Sequence, residues 1–172
     1  MSKQVVCVFD STDNTGKTPI STEVSRVTGI PRFKNVDEHC HFLNNPDYFK
    51  FALKHVDTYF FKYLKESGAS VILDRAWPSE WVYSKVMGRE TDEQTLDWID
   101  RFAASIGTKI VMPYRTSYDN VEDYDVIKEK IWEIDRTYTE FAKWTRCEVL
   151  RFNVDARDTR SYVNQVVDFL RP

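Results

Sequence analysis

Apolar positions along the chain fall into short continuous runs, separated by longer stretches in which they recur every three or four residues. The run Gln4-Val5-Val6-Cys7-Val8-Phe9 is almost wholly β-branched and aromatic. That is the pattern of a strand buried on both faces, and it empties into a polar cluster over residues 10–15. Two further runs read as strands in the same way, Ser70-Val71-Ile72-Leu73, which ends at Asp74-Arg75, and Lys109-Ile110-Val111-Met112, and residues 148–154 read as a last strand. Helical patterns lie between them. One starts at Thr18, with Pro19 at its first position where a missing N–H costs nothing, and stops at Thr28-Gly29. A second places Tyr48, Phe51, Leu53, Val56, Tyr59, Phe60, Tyr63 and Leu64 at helical spacing and closes at Ser67-Gly68. Others open at Pro78-Ser79-Glu80, cover residues 91–104, extend over about 121–143 and close the chain over 159–170. Residues 31–38 read as a polar connection.

Fully apolar strands alternating with helices long enough to cross a sheet imply an α/β fold, a parallel β-sheet with helices on both faces. A chain of 172 residues supports one substantial core, so residues 1–172 read as a single domain. In such sheets ligands lie beyond the carboxyl ends of the strands, and the residues that follow each strand carry the candidate chemistry.

Phosphate chemistry is written after the first strand. Asp10-Ser11-Thr12-Asp13-Asn14-Thr15-Gly16-Lys17-Thr18 joins that strand to a helix. Backbone N–H groups at a helix amino end face an anion, the Lys17 ammonium reaches the β- and γ-phosphates of a donor, and the Thr18 hydroxyl is placed for magnesium. The strict G-x-x-x-x-G-K-[ST] pattern has Ser11 at its first glycine, which fits if the backbone there keeps a negative φ. Asp74-Arg75 ends the second strand, beside this loop in a parallel sheet. Its carboxylate suits magnesium or proton acceptance, and its guanidinium suits a bidentate grip on phosphate.

Together these segments resemble thymidylate kinases. Phe9 to Thr18 is similar to their F-E-G-x-D-x-x-G-K-[ST] loop, and Asp74-Arg75 with Ser79 and Tyr83 to their D-R-x-x-x-S-x-x-x-[YF] segment. Phage-type nucleotide kinases of the P-loop superfamily look similar over residues 73–88. The resemblance implies ATP and Mg2+ as cofactors and a deoxynucleoside monophosphate as acceptor. It implies Lys17, Asp74 and Arg75 as catalytic residues, and Thr18 and Asp74 at the metal. Asp13, Asn14, Thr15, Gly16, Lys17, Thr18, Arg115 and Arg157 would hold ATP. Asp13, Arg32, Phe33, Lys34, Arg75, Ser79 and Tyr83 would hold the acceptor. The family's R-F-P-x-R segment is matched by Arg32-Phe33-Lys34, with Val36 in place of the second arginine. The lid over residues 116–124 contains no arginine, so Arg115 or Arg136 would serve there, and Asn14 stands where many relatives have glycine.

Composition narrows the partners. With 24 Lys+Arg against 27 Asp+Glu, a net charge of −3 supplies no global field for a nucleic-acid backbone, which favours a small nucleotide. No stretch approaches the ~20 apolar residues of a membrane span, and the first ten residues are too short for a signal peptide. Cys7, Cys40 and Cys147 are odd in number and lack a C-x-x-C pattern, which points to the reducing cytoplasm. Glu38-His39-Cys40-His41 does not read as a zinc site, because adjacent residues cannot all face one ion. Most rings of residues 48–63 read as core, His55 reads as packed, and Trp77 is open to both a base-covering and a packing role. Three other functions share the same loop: a nucleoside or modified-base kinase with Asp74 as base, a polynucleotide kinase, and a nucleotide-binding protein without turnover. The sequence leaves the oligomeric state open, a homodimer included.

Overall fold

The computed structural model describes residues 4–34, 52–119, 125–156 and 158–171. Among them the chain runs β1 (Val6–Phe9), α1 (Lys17–Thr28), β2 (Arg32–Lys34), a π-helical turn (Ala52–Asp57) continuing into α2 (Thr58–Ser67), β3 (Val71–Asp74), α3 (Trp77–Val86), α4 (Glu93–Ser105), β4 (Lys109–Tyr114), α5 (Asp125–Trp144), β5 (Glu148–Asn153) and α6 (Thr159–Leu170). The five strands form one sheet in the order β2-β3-β1-β4-β5, and every neighbouring pair is parallel. The expected α/β class is thus observed.

The apolar runs are unbroken because both faces of the sheet are covered. Val6, Val8, Val71, Leu73, Ile110 and Met112 point to one side, where they meet Phe61, Trp77, Val82, Ile99, Ile134 and Phe141 from α2–α5. Their neighbours Cys7, Phe9, Ile72 and Val111 point to the other, against Ile20 and Val24 of α1 and Tyr162, Val163 and Val166 of α6. Alternate residues of each central strand therefore belong to different cores.

Helix ends follow local chemistry where the sequence contains it. Gly29 and Gly68 close α1 and α2 in the left-handed conformation, at φ 70° and 65°. Asp92 and Asp158 cap α4 and α6 by accepting from the amides of Thr95 and Ser161. Helix α1 begins at Lys17, one residue before its expected start. Pro19 is consequently its third residue rather than its first, still within the turn whose amides have no intrahelical acceptor.

The structure corrects or decides four readings of the sequence. Residues 32–34, taken as connection, form the edge strand β2, because Ile72 N donates to Pro31 O at 2.9 Å and draws the segment into pairing with β3. Three residues at a sheet edge carry too little pattern to be seen locally. The aromatic helix is a core element only in part: Phe61 is fully buried and Phe60 packs partly buried against the same core, Tyr59 and Tyr63 are exposed, and Tyr48, Phe49 and Phe51 lie outside the described residues. His55 is exposed rather than packed. Trp77 is fully buried, edge-on to Phe61 at a ring distance of 5.2 Å, which leaves it no face for a base. The described cysteines, Cys7 and Cys147, are buried and free. No helix among the described residues is long and apolar enough to cross a membrane. The segment Glu38-His39-Cys40-His41 lies outside the described residues.

Asp100 is a buried tie on the far side from the carboxyl ends of the strands. From α4 its carboxylate accepts from Thr145 Oγ1, from Arg146 N at 3.0 Å and from the Arg146 guanidinium at 3.2 Å. Asp100→Ala should destabilise the fold by about 2 kcal/mol because it strands those donors, whereas Asp97→Ala, whose ion pairs with Arg101 and Arg146 are solvated, should cost under about 1 kcal/mol. Urea denaturation of both variants measures the difference, and equal losses would contradict the assigned role.

Candidate active site

Strand register brings the chemistry together. Phe9 of β1 lies opposite Asp74 of β3, so the chain leaving β1 at Asp10 meets the chain leaving β3 at Arg75. Arg75 N donates to Phe9 O at 2.9 Å, and Asp10 N donates to Val111 O of β4 at 3.1 Å. Three strand ends are thereby locked side by side under the loop of residues 10–16.

Backbone angles in that loop explain its composition. Asn14 and Gly16 take left-handed angles, φ 60° and 76°, while Ser11 does not. The first glycine of the strict phosphate-loop pattern is therefore dispensable here. At Asn14 the angle does call for glycine or its nearest substitute. A Cβ at Gly16 would sit 3.7 Å from Ile20 Cδ1, ordinary contact, so angle rather than space requires that glycine. Inside the loop the Ser11 and Thr15 hydroxyls bond each other at 2.7 Å, and Thr15 Oγ1 also donates to Thr12 O at 2.9 Å.

Lys17 is buried at the amino end of α1, and its ammonium donates to Ser11 O at 2.9 Å and Thr12 O at 2.7 Å. Burial and the neighbouring Arg75 push its pKa down to about 8, against the opposing pull of Asp13, Asp10 and Asp74. Beside it Thr18 Oγ1 donates to Asp74 Oδ2 at 2.9 Å. Arg32 reaches the same oxygen from β2 and is steadied by Ser21 Oγ at 2.9 Å. Asp74 is fully buried, and its second oxygen, Oδ1, has no hydrogen-bond partner.

Arg75 adopts φ 69°, outside the usual range for a branched-chain or long residue, which aims its side chain back across the loop. There it pairs with Asp13, lies 3.6 Å from Asp10 and donates to Ser79 Oγ at 3.0 Å. The Tyr83 hydroxyl donates to the other Asp13 oxygen. Burial alone would raise the Asp13 pKa, but Arg75, Lys17 and Tyr83 outweigh it and hold the carboxyl below its ordinary value. Burial pushes the Tyr83 and Tyr138 hydroxyls well above theirs. On the β4 side, Arg115 Nε donates to Asn14 O at 2.6 Å. Asp155, after β5, accepts from Thr116 N at 3.1 Å and fixes the start of the next segment.

Lys17, Thr18, Arg75, Arg115 and Asp13 line one cavity of about 370 Å³. Of the residues expected to form the site, Asp13, Asn14, Gly16, Lys17, Thr18, Arg75 and Arg115 are gathered at that cavity, with Thr15, Arg32, Asp74, Ser79 and Tyr83 directly behind them. Phe33 and Lys34 stand exposed on the edge strand, Phe33 stacked on Phe60 at 5.6 Å. Arg157 lies outside the described residues. Thr18 Oγ1 and the Asp74 carboxylate are adjacent oxygen donors that would suit a metal. Hard cations such as magnesium take oxygen ligands, with phosphates and water completing the shell. The unpartnered buried Oδ1 fits that chemistry, and no cluster of three acidic, His or Cys ligands occurs among the described residues.

Two supporting residues escaped the sequence. Asp10 is fully buried and accepts from Ala76 N, Ser79 N, Ser79 Oγ and the Tyr138 hydroxyl, at 3.1, 3.0, 2.8 and 2.7 Å. It therefore caps α3 from another strand. Tyr138 comes from the middle of α5. Nothing local marks Tyr138, and the one signal for Asp10 was its place as an acidic residue directly after a buried strand.

No protein-family model matches the sequence, and the comparison with curated proteins gives no match. Solved structures share the fold. The YorR protein of Bacillus subtilis, in complex with phosphorylated GDP, aligns at a TM-score of 0.67 and 15% identity over 96% of this chain and 95% of its own. A deoxyadenosine kinase from M. mycoides with bound dATP aligns at 0.56 and 20% identity, over 97% and 99%. Thymidylate kinase from Ehrlichia chaffeensis aligns at 0.53 and 16% identity, over 98% and 99%. The resemblance to thymidylate kinases thus holds as a likeness of fold.

The position of Lys17 has a pH consequence. Phosphate favours the protonated amine, so a group with a pKa of about 8 must take up a proton on binding above that pH. Affinity for a nucleoside triphosphate should be level up to about pH 7.5 and then fall by up to about tenfold per pH unit, with proton uptake. Titration calorimetry in buffers of different ionisation enthalpy reads both quantities, and a flat profile would separate Lys17 from the phosphate.

Proposed function

We propose that this chain is a nucleotide kinase, a single cytoplasmic domain that transfers the γ-phosphoryl group of ATP to the phosphate of a deoxynucleoside monophosphate. The observation that carries the reading is the convergence of Lys17 and Arg75 on one cavity at the amino end of α1, with Thr18 and Arg115 at its rim. Phosphoryl transfer needs little covalent help. It needs two anionic groups held in line and the charge on the transferring oxygens neutralised.

In this reading the first amides of α1 and the Lys17 ammonium hold the β- and γ-phosphates. Arg115 supplies a cation from the β4 side in place of lid arginines. Mg2+, when bound at Thr18 and Asp74, would neutralise phosphate oxygens. Arg75 lies opposite Lys17 across the loop, and its planar fork suits an acceptor phosphate oxygen as it approaches the γ-phosphorus. Its left-handed backbone and its contacts with Asp13, Asp10 and Ser79 hold that fork in place before any substrate arrives. Asp13, held by Tyr83, faces the acceptor sugar. Arg32 secures Asp74 and is the second candidate grip on the acceptor phosphate. Ser79 acts through Asp10 and Arg75, since its hydroxyl is engaged with both.

One observation favours a second reading. Asp74 Oδ1 is buried without a partner, and a carboxylate oxygen so placed could accept the proton of an attacking hydroxyl, which suits a nucleoside kinase. A reading without turnover loses one of its two motives, because Ser11 does not take a left-handed angle; the arginine-free segment 116–124 is the other. Polynucleotide acceptors remain disfavoured by the net charge of −3.

A transfer assay with ATP and Mg2+ against nucleosides, nucleoside monophosphates and a 5′-hydroxyl oligonucleotide tests the proposal. Monophosphates should be the acceptors, and Lys17→Met should lower turnover roughly 100-fold or more with the fold intact. A folded Lys17→Met protein of normal turnover would remove the phosphate-loop assignment.

Two substitutions separate the acceptor classes. Arg75→Lys keeps charge but loses the fork, so monophosphate affinity and turnover should both fall about tenfold or more while ATP affinity stays level. Asp74→Asn should lower turnover more than acceptor binding. Should Arg75→Lys prove harmless and Asp74→Asn abolish transfer to a nucleoside, the hydroxyl acceptor would replace the monophosphate.

A further inference from the structure

Thr12 and Arg115 stand on opposite sides of the phosphate loop, and both are tied to one carboxylate on α5. Thr12 is fully buried, and its hydroxyl donates to Asp135 Oδ1 at 3.2 Å. The carbonyl of the same residue accepts the Lys17 ammonium at 2.7 Å. From the segment after β4, the Tyr118 hydroxyl donates to that same Asp135 oxygen at 2.9 Å and accepts from Arg115 N at 3.5 Å. The Tyr118 ring is seated edge-on against Trp132, one turn before Asp135 on α5. Asp135 is held in turn from β5, where the Arg151 guanidinium lies 4.0 Å away and donates to Thr139 Oγ1 one turn further along.

A single oxygen atom thus sits between the two backbone segments that carry the Lys17 and Arg115 cations. Fixing Thr12 fixes the carbonyl that locates Lys17, and fixing Tyr118 fixes the strand end from which Arg115 reaches Asn14. Because phosphoryl transfer depends on the placement of cations around the donor, a displacement of about 1 Å in this spacing is enough to slow it. We propose that Asp135 is a positioning residue that sets the separation of Lys17 and Arg115 by accepting hydrogen bonds from Thr12 and Tyr118; the catalytic consequence rests on the kinase reading above. The required chemistry is acceptance, and the negative charge is incidental. That distinguishes the role from a simple ion pair with Arg151.

Asp135→Leu removes the acceptor at similar size, and Asp135→Asn keeps an oxygen in the same place. In the transfer assay Asp135→Leu should lower kcat about ten- to a hundredfold with KM for the acceptor little changed, and Asp135→Asn should recover most of that loss. A readout independent of turnover accompanies it: acylation of Lys17 by an amine reagent, followed by mass spectrometry, should speed up in Asp135→Leu and remain near wild type in Asp135→Asn. Thr12→Val and Tyr118→Phe each remove one donor and serve if Asp135→Leu does not fold. Each should lower kcat by itself, and their combination should cost less than the product of the two, because they share one oxygen. Wild-type kcat and Lys17 labelling in folded Asp135→Leu, or equal damage by Asn and Leu, would overturn the proposal. If the wild type transfers no phosphoryl group while the labelling pattern holds, the kinase reading fails and the positioning of Lys17 by Asp135 stands.

Discussion

Asp10 is a carboxylate with no exposure to water, at the point where β1 leaves the sheet. Removing such a group from solvent costs several kcal/mol unless its lone pairs are satisfied. Two α3 amides, the Ser79 hydroxyl and the Tyr138 phenol satisfy them, with the Arg75 guanidinium 3.6 Å away. Burial raises the Asp10 pKa, and Arg75, Tyr138, Ser79 and the Ala76 amide work against that rise. The same bonds make Asp10 a junction: α3 starts where its first amides reach this carboxylate, α5 is registered by Tyr138, and Arg75 is held beside the loop. The cap residue of α3 is Ala76, which has no side chain able to do this work.

Strain is concentrated around that junction. Among the described residues, Asn14 and Arg75 are the non-glycine residues at positive φ, and both border the candidate phosphate cavity. Each costs on the order of 1–3 kcal/mol and persists only where the surroundings determine it. For Arg75 those surroundings are Asp10, Asp13 and Ser79, so the energy of the cluster is spent on a fixed guanidinium. A flexible arginine on an ordinary strand end would have to be ordered anew for each substrate, at an entropic cost.

The candidate phosphate loop was legible because it is local. An apolar run, a polar loop, Gly16-Lys17-Thr18 and a helix are consecutive in the chain, and each imposes its conformation on a few residues. Asp74-Arg75 was legible for the same reason, as the end of an apolar strand. Ser11 was ambiguous because the identity of a residue does not reveal its φ, and the structure resolved it by putting the left-handed angle at Asn14 instead. The edge strand β2, the engagement of Arg32 with Asp74, and the roles of Asp10, Tyr138 and Asp135 were not legible. Their partners are 42, 128 and 123 residues away along the chain for the Arg32–Asp74, Asp10–Tyr138 and Thr12–Asp135 contacts.

By itself the sequence determined the class of fold, since unbroken β-branched runs can be buried only between two helical layers, and the residues at the end of each run. It also determined the strand–loop–helix segment over residues 10–18, whose N–H donors and lysine follow from a helix start. Tertiary structure decided the full strand order, and so which side chains at the strand ends meet. The order β2-β3-β1-β4-β5 puts Asp10 against Arg75 and brings Arg32 to Asp74, because hydrogen-bonded pairing between strands obeys no local pattern and depends on the packing of both faces at once.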